Sequence, residues 1–306
     1  MPSRSVHSRQ SASAEKPHSA FYTTVKALLR NRLSLAGLII LGIAVLLAVL
    51  APWISPQNPY DLMQLDIMDG RLTPGSASAT GMTYWLGTDD QGRDLFSAIL
   101  YGTRTSLLVG VLSAAIALTL GAALGLISAY AGGKTDAVIM RIVDIQLSFP
   151  PILIALILLA VLGQGVDKII LALVVTQWAY YARTVRGSAL LERRRSYVDA
   201  ARSMALSNRR ILFWHILPNC LPPLIVVATM RIAYAIMLEA TLSFLGIGLP
   251  VTEPSLGLLI ANGFEYLMSG DYWISLFPGI TLLLLIVAIN LVGDALRDIL
   301  NPRSQD

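Results

Sequence analysis

Apolar residues gather in long uncharged runs along this chain, separated by segments that hold nearly all of its charge. A helix that crosses a bilayer needs about 20 consecutive, mostly apolar residues. Positions 35–54 meet that requirement without one charged side chain. They predict a retained first span, too long and too far from the first residue to be a cleaved signal peptide. Further spans are predicted over 106–130, rich in Gly, Ala and Leu; over 137–162, interrupted by Pro150-Pro151; and over 168–186, short and amphipathic. The last two are predicted over 221–246, opened by Pro222-Pro223, and over 273–292. The expectation is an all-α integral membrane protein with six transmembrane helices. Ahead of the first span, 21–33 sets Phe21, Val25, Leu28 and Leu29 against Lys26, Arg30 and Arg32. That is the pattern of an amphipathic helix on a membrane surface. Residues 1–20, rich in Ser, Arg and His, read as disordered.

Charge placement orients these spans, because loops on the cytoplasmic side carry an excess of Lys and Arg. The tail 1–34 holds six, 131–141 two, 183–216 eight and 297–306 two, which leaves five of the 23 elsewhere. The loop between spans one and two instead holds Asp61, Asp66, Asp69, Asp89, Asp90 and Asp94, and the loop between spans five and six holds Glu253, Glu265 and Asp271. Both termini are expected in the cytoplasm, in agreement with an even number of spans. The chain then divides into a cytoplasmic tail with an amphipathic helix (1–34), a first span (35–54) and an extracytoplasmic loop (55–103), helical near 95–100. A core of five spans follows (104–300), with a cytoplasmic loop at 187–216, and then a C-terminal tail (301–306).

Composition agrees with this picture and narrows the chemistry. The 306 residues are 55% hydrophobic and 14% charged, with a mean hydropathy of +0.64, against about a quarter charged in soluble domains. One cysteine, Cys220, excludes an internal disulfide, and His7, His18 and His215 lie too far apart in sequence to suggest a metal site. Gly132-Gly133-Lys134-Thr135 resembles the end of a phosphate-binding loop, but position 128 is Ser where that motif needs Gly, and a span precedes it instead of a strand. No cofactor site and no nucleic-acid-binding pattern is visible, and the bilayer is the expected surroundings.

The segment 187–218 is Arg-rich and wedged between two apolar runs, so it must sit in water or against another protein. Two short helices are expected in it, over 187–193 and 197–206. Asp199 would lie in the first turn of the second, where a carboxylate suits the positive helix end. Ala200 and Ala201 are small enough for a helix seated in a partner's groove. A plain cytoplasmic loop would carry the same positive charge.

The residues Asp199-Ala200-Ala201, Ala205, Leu217 and Pro218 resemble, in type and spacing, the EAA loop of ABC-importer permeases, which usually has Glu at the first position and Gly where Ala205 stands. If that position needs a positive φ, Ala is strained there. Two further stretches are similar to the dipeptide/oligopeptide/nickel branch, second permease subunit type: Leu86-Gly-Thr-Asp-Asp-Gln-Gly-Arg-Asp-Leu95, and Leu242-Ser-Phe-Leu-Gly-Ile-Gly248 with Asn290-Leu-Val-Gly-Asp294. The resemblance covers roughly 25–302. It implies a type I-like importer fold, a homologous second permease, two ABC ATPase subunits and an extracytoplasmic solute-binding protein. It implies that ATP and Mg are handled by the ATPases and that this chain is not an enzyme. It makes Asp199, Ala200, Ala201, Arg202, Ala205, Leu206, Leu217 and Pro218 the residues that receive the ATPases' motion. It implies peptide as cargo, with nickel chelates or other small solutes open. A stand-alone secondary transporter or channel remains the other reading.

Ionisable residues inside spans mark function or internal pairing. Asp144, with Arg141 three residues away, Arg231 and Glu239 two turns apart, and Asp294 near Arg297 are the candidates. Ion pairs between helices and a water-lined path are both open, the path along spans three and five because Pro150-Pro151 and Pro222-Pro223 would break them. Trp178, Tyr180 and Tyr181 read as an interfacial aromatic belt.

Overall fold

The computed structural model describes residues 20–78 and 81–300; the segments 1–19 and 301–306 lie outside them, and with them the disorder expected for the first residues. Helix α1 (Ala20–Arg30) ends where Asn31 caps α2 (Arg32–Ile54), its side chain accepting from the N–H groups of Leu33 and Ser34. The segment that follows holds two short 3₁₀ turns and a two-stranded pair, β1 (Ser76–Ala77) with β2 (Thr83–Tyr84), a small exception to an otherwise helical chain. Then come α3 (Leu95–Ala131), α4 (Gly133–Ser148), α5 (Pro151–Leu162), α6 (Val166–Glu192), α7 (Ser196–Ser203), α8 (Asn208–Arg210), α9 (Leu217–Phe244), α10 (Leu256–Phe264) and α11 (Trp273–Leu300).

Four of these helices are long and apolar enough to cross a membrane, and α4 with α5 forms a fifth candidate bent by 89°. Pro150 causes the bend, since the residue before a proline is pushed out of the helical region: Phe149 is extended, and Pro151 opens α5. The expected span over 137–162 is thus two helices at nearly a right angle. Six spans were expected; four helices qualify, or five with the bent pair, and α6, where the fourth was expected, is long enough but too charged to qualify. The 27 residues of α6 include Asp167, Lys168, Arg183, Arg186 and Glu192 at its ends, so only its middle is free of charge.

Pro222 and Pro223 break nothing. Pro218 stands in the first turn of α9, where a missing N–H costs no bond, and α9 runs on through Pro222 and Pro223. The irregularity lies upstream instead. Residues Ile211–Ile216 form a widened π turn that joins α8 to α9.

Bilayer lipid offers no hydrophobic drive for helix association, so close packing through small residues does the holding. Helix α3 runs along α6 on Gly121 and Gly125, and a Cβ at these two would lie 2.4 Å from the Trp178 carbonyl oxygen and 2.5 Å from that of Ala182. Gly257 sets α10 on the Ala240 backbone of α9, and Gly37 sets α2 on Ala288 and Leu291 of α11. The aromatic-belt expectation fails here: Tyr181 is fully buried and Trp178 packs against the core, because α6 is enclosed by α3, α5 and α9.

The bundle has two unlike ends. One gathers Arg193, Arg194, Arg195, Arg202, Arg209 and Arg210 around α7; the other carries the acidic segment 55–94 with α10.

Candidate functional site

At the basic end, α6 continues without interruption to Glu192, so no separate helix spans 187–193, and the expected helix over 197–206 is the shorter α7. An eight-residue helix must split its faces. Val198 and Ala201 are buried in a cluster with Leu126, Val185, Ile211, Ile216 and Cys220, while Asp199, Ala200, Arg202 and Ser203 face out. Ala200 and Ala201, both expected to be small enough for a partner's groove, diverge, since neighbours on a helix point about 100° apart, and only Ala200 is exposed. The Asp199 carboxylate meets Arg202 at 3.5 Å, and both side chains are exposed.

The turn after α7 explains Ala205. Leu206 N–H donates to the Ala201 carbonyl (3.2 Å) and Ala205 N–H to that of Arg202 (2.9 Å), the two bonds of a Schellman stop. That stop requires a left-handed residue between them, and Ala205 has φ +53°. Its Cβ makes this conformation cost about 1 kcal/mol more than glycine would. Leu206 folds back against the buried cluster, and Leu217 packs there too, whereas Pro218 is exposed.

Around this turn the chain is pinned to three long helices. Tyr197 donates to Glu192 Oε2 at the end of α6 (2.6 Å) and to the His215 carbonyl in the π turn (3.3 Å), and Asn219 Nδ2 donates to Tyr197 Oη (3.2 Å). Arg193 donates to the Ala129 carbonyl of α3 (2.8 Å) and lies over the Tyr130 ring; Tyr130 in turn donates to Asn208. Arg186 clamps Asp136 of α4 with two bonds of 2.6 Å. Sequence reasoning missed Tyr197, Tyr130, the contacts of Arg193 and the Arg186–Asp136 pair; most of these join residues far apart in the chain, which no local spacing announces.

The candidate intramembrane residues do not meet one another. Asp144 pairs with Arg183 of α6, not Arg141. Glu239 is fully buried and makes no ion pair among the described residues, accepting from Ser106 and Ser243 at 2.9 Å each. Arg231 stacks on Tyr180 with its guanidinium carbon 3.4 Å from the ring centre. Asp294 is exposed and makes no ion pair among the described residues.

At the acidic end, the stretch 86–95 turns out to be architecture. Gly87 and Gly92 have φ of +81° and +75°, and a Cβ on Gly92 would lie 2.0 Å from the Asp66 carbonyl oxygen. Buried Thr88 donates to the Asp69 carbonyl and accepts from Leu72 N–H. Asp89 accepts from the Gln91 and Arg93 amides, and Asp94 caps α3 by accepting from Ser97. Arg93, itself buried, reaches across to the Val251 carbonyl (2.7 Å) and ties this cap to the loop after α9. Burial pushes the Asp89 carboxyl up to about 6 and raises those of Asp90 and Asp94. Trp85, Met63, Ile67, Met68 and Met268 stand exposed on its surface.

A chain of packed apolar helices with one broken pair, a pinned basic turn and an ordered acidic cap has the build of a multi-pass membrane protein. The family of binding-protein-dependent transport system inner membrane components matches residues 121–306, and the N-terminal transmembrane domain of oligopeptide transport permease C matches residues 19–74. A peptide transport system permease protein of Brucella abortus is 44% identical over 280 residues, covering 92% of this chain and 91% of that one. The di/tripeptide transport system permease protein DppC of Pseudomonas aeruginosa is 38% identical, covering 89% of each. An inward-facing structure of the MetNI methionine ABC transporter shares the fold, with TM-score 0.56 and 22% identity over 68% of this chain and 98% of that one. The chain belongs to the inner-membrane permeases of ABC importers, in the dipeptide/oligopeptide branch.

Proposed function

We propose that this permease imports di- and oligopeptides as half of a heterodimer with a homologous permease, driven by two ABC ATPase subunits that dock at α7. The supporting observation is the division of labour within α7. Its inner face, Val198 and Ala201, is embedded in the core, while Asp199 and Ala200 project outward beside exposed Met204. A helix held this way cannot be pushed without moving α3, α6 and α9, to which Arg193, Tyr197 and Asn219 fasten the turn.

In this reading ATP and Mg sit on the partner subunits, and their closure displaces α7. The long helices then rock between two arrangements, each favoured by its own set of contacts. Helix α6 is the fourth span and brings the count to six, its charge-free middle enclosed by α3, α5 and α9 and its charged ends at the two membrane surfaces. Both termini and α7 are cytoplasmic, following the Lys and Arg distribution. The acidic cap faces outward and receives the solute-binding protein on Trp85 and the exposed methionines. The peptide cargo follows the names of the relatives.

The test is the double variant Asp199→Arg, Ala200→Trp in the importer reconstituted with its ATPases and binding protein. ATP-driven peptide uptake should be lost while the variant inserts and purifies like the wild type. Normal uptake would overturn the coupling role of α7.

A further inference from the structure

We propose that Arg231 is a binding point for the C-terminal carboxylate of the transported peptide, at the middle of the bundle. The inference rests on the peptide-importer reading above and adds a site to it. Arg231 lies near the midpoint of α9, a position where an arginine in an apolar span needs an anion or water to satisfy it. Nothing among the described residues supplies the anion. Asp144 is engaged by Arg183, Glu239 by Ser106 and Ser243, and Arg231 makes no ion pair or hydrogen bond among the described residues.

What the chain does supply is a holder. The Tyr180 ring of α6 lies against the guanidinium at 3.4 Å, and the Tyr234 ring stands 5.4 Å away. Stacking on rings immobilises the planar guanidinium by its face and leaves the in-plane N–H donors free. Those donors form the fork that matches a carboxylate with two parallel bonds.

The surroundings fit a peptide end. Arg231 borders a cavity of about 480 Å³ lined by Pro151, Tyr180, Val227, Met230 and Tyr234. Pro151 brings the α4–α5 break to this spot, and Val227 and Met230 also line a second cavity that runs toward Pro222 and Arg297. Val227, Arg231 and Tyr234 are spaced as one stripe of α9. The two cavities share Val227 and Met230; Arg231 is the cation of the first, beside the Tyr180 and Tyr234 rings, and Arg297 lies in the second.

The experiment uses the purified permease–ATPase complex without its binding protein, so that carboxylate recognition by that protein does not enter. Binding of radiolabelled trialanine is competed with unlabelled trialanine and with trialanine amide, for wild type, Arg231→Lys and Arg231→Gln. The expected result is a wild-type preference for the free acid of at least about tenfold, the scale of a lost charge-assisted pair. Arg231→Lys should keep part of that preference and Arg231→Gln none. Equal competition by acid and amide in the wild type, or an unchanged preference in Arg231→Gln, overturns the site. So does a third outcome, in which Arg231→Gln releases the second permease from the complex and leaves the preference intact, for then Arg231 pairs with that subunit. ATP-driven uptake by the complete wild-type importer is measured in parallel. Its absence would count against the importer reading itself, whereas uptake indifferent to Arg231 refutes this inference alone.

Discussion

Tyr197, in the first turn of α7, donates a 2.6 Å hydrogen bond to Glu192, the last residue of α6. One phenol thereby closes the corner between a long helix and the short one that follows. Its hydroxyl also meets the π turn through the His215 carbonyl, and Asn219 beyond it.

Tyr197→Phe keeps the ring and removes the bond. Exposed charge-assisted bonds contribute about 1 kcal/mol, so the amides of 193–206 should exchange with deuterium roughly fivefold faster. Membrane insertion and the protection of α3 should be unchanged. Identical exchange in variant and wild type would show that the corner is held by packing alone.

The α3–α6 contact predicts a sharp contrast between two glycines. Gly121→Ala forces a methyl to within 2.4 Å of the Trp178 carbonyl oxygen and should destabilise the protein by about 1–3 kcal/mol. Gly42→Ala meets nothing within 4 Å and should leave the melting temperature in detergent unchanged or slightly raised. Equal melting temperatures for the two variants would contradict the packing described.

The acidic cap should respond to pH in a defined direction. Asp89 is raised from 3.8 to about 6 by burial, and Asp90 and Asp94 move the same way. A carboxyl whose folded value is raised adds stability that is complete below its unfolded value and is lost as pH rises through the folded one. The segment 55–94 should therefore resist proteolysis better at pH 4.5 than at pH 7.5, and Asp89→Asn should reduce the difference. A cap that loosens on acidification would contradict this burial.

The spans were legible because they depend on composition over long windows, and 35–54, 106–130 and 273–292 each fall inside one helix. The strain at Ala205 could be anticipated from a glycine usual at that place, and the Schellman bonds supply its cause. Partners across the bundle were not legible. Asp144 sits three residues from Arg141 yet pairs with Arg183, because facing helices decide such contacts and spacing along one helix does not. Pro222-Pro223 misled for a related reason: a proline pair breaks a helix in isolation, while here α9 is held on both sides by packing around Cys220 and Leu224.

The central claim is that the outward face of α7 meets the ATPase subunits. Its most direct measurement is thiol cross-linking from Ala200→Cys in the assembled importer, since the native Cys220 is buried. The account predicts a cross-linked product containing an ATPase subunit, with a yield that changes on adding ATP, and none from Leu283→Cys on the exposed side of α11. A transport-competent complex in which the thiol introduced on α7 labels freely with a water-soluble maleimide and never joins an ATPase would contradict it.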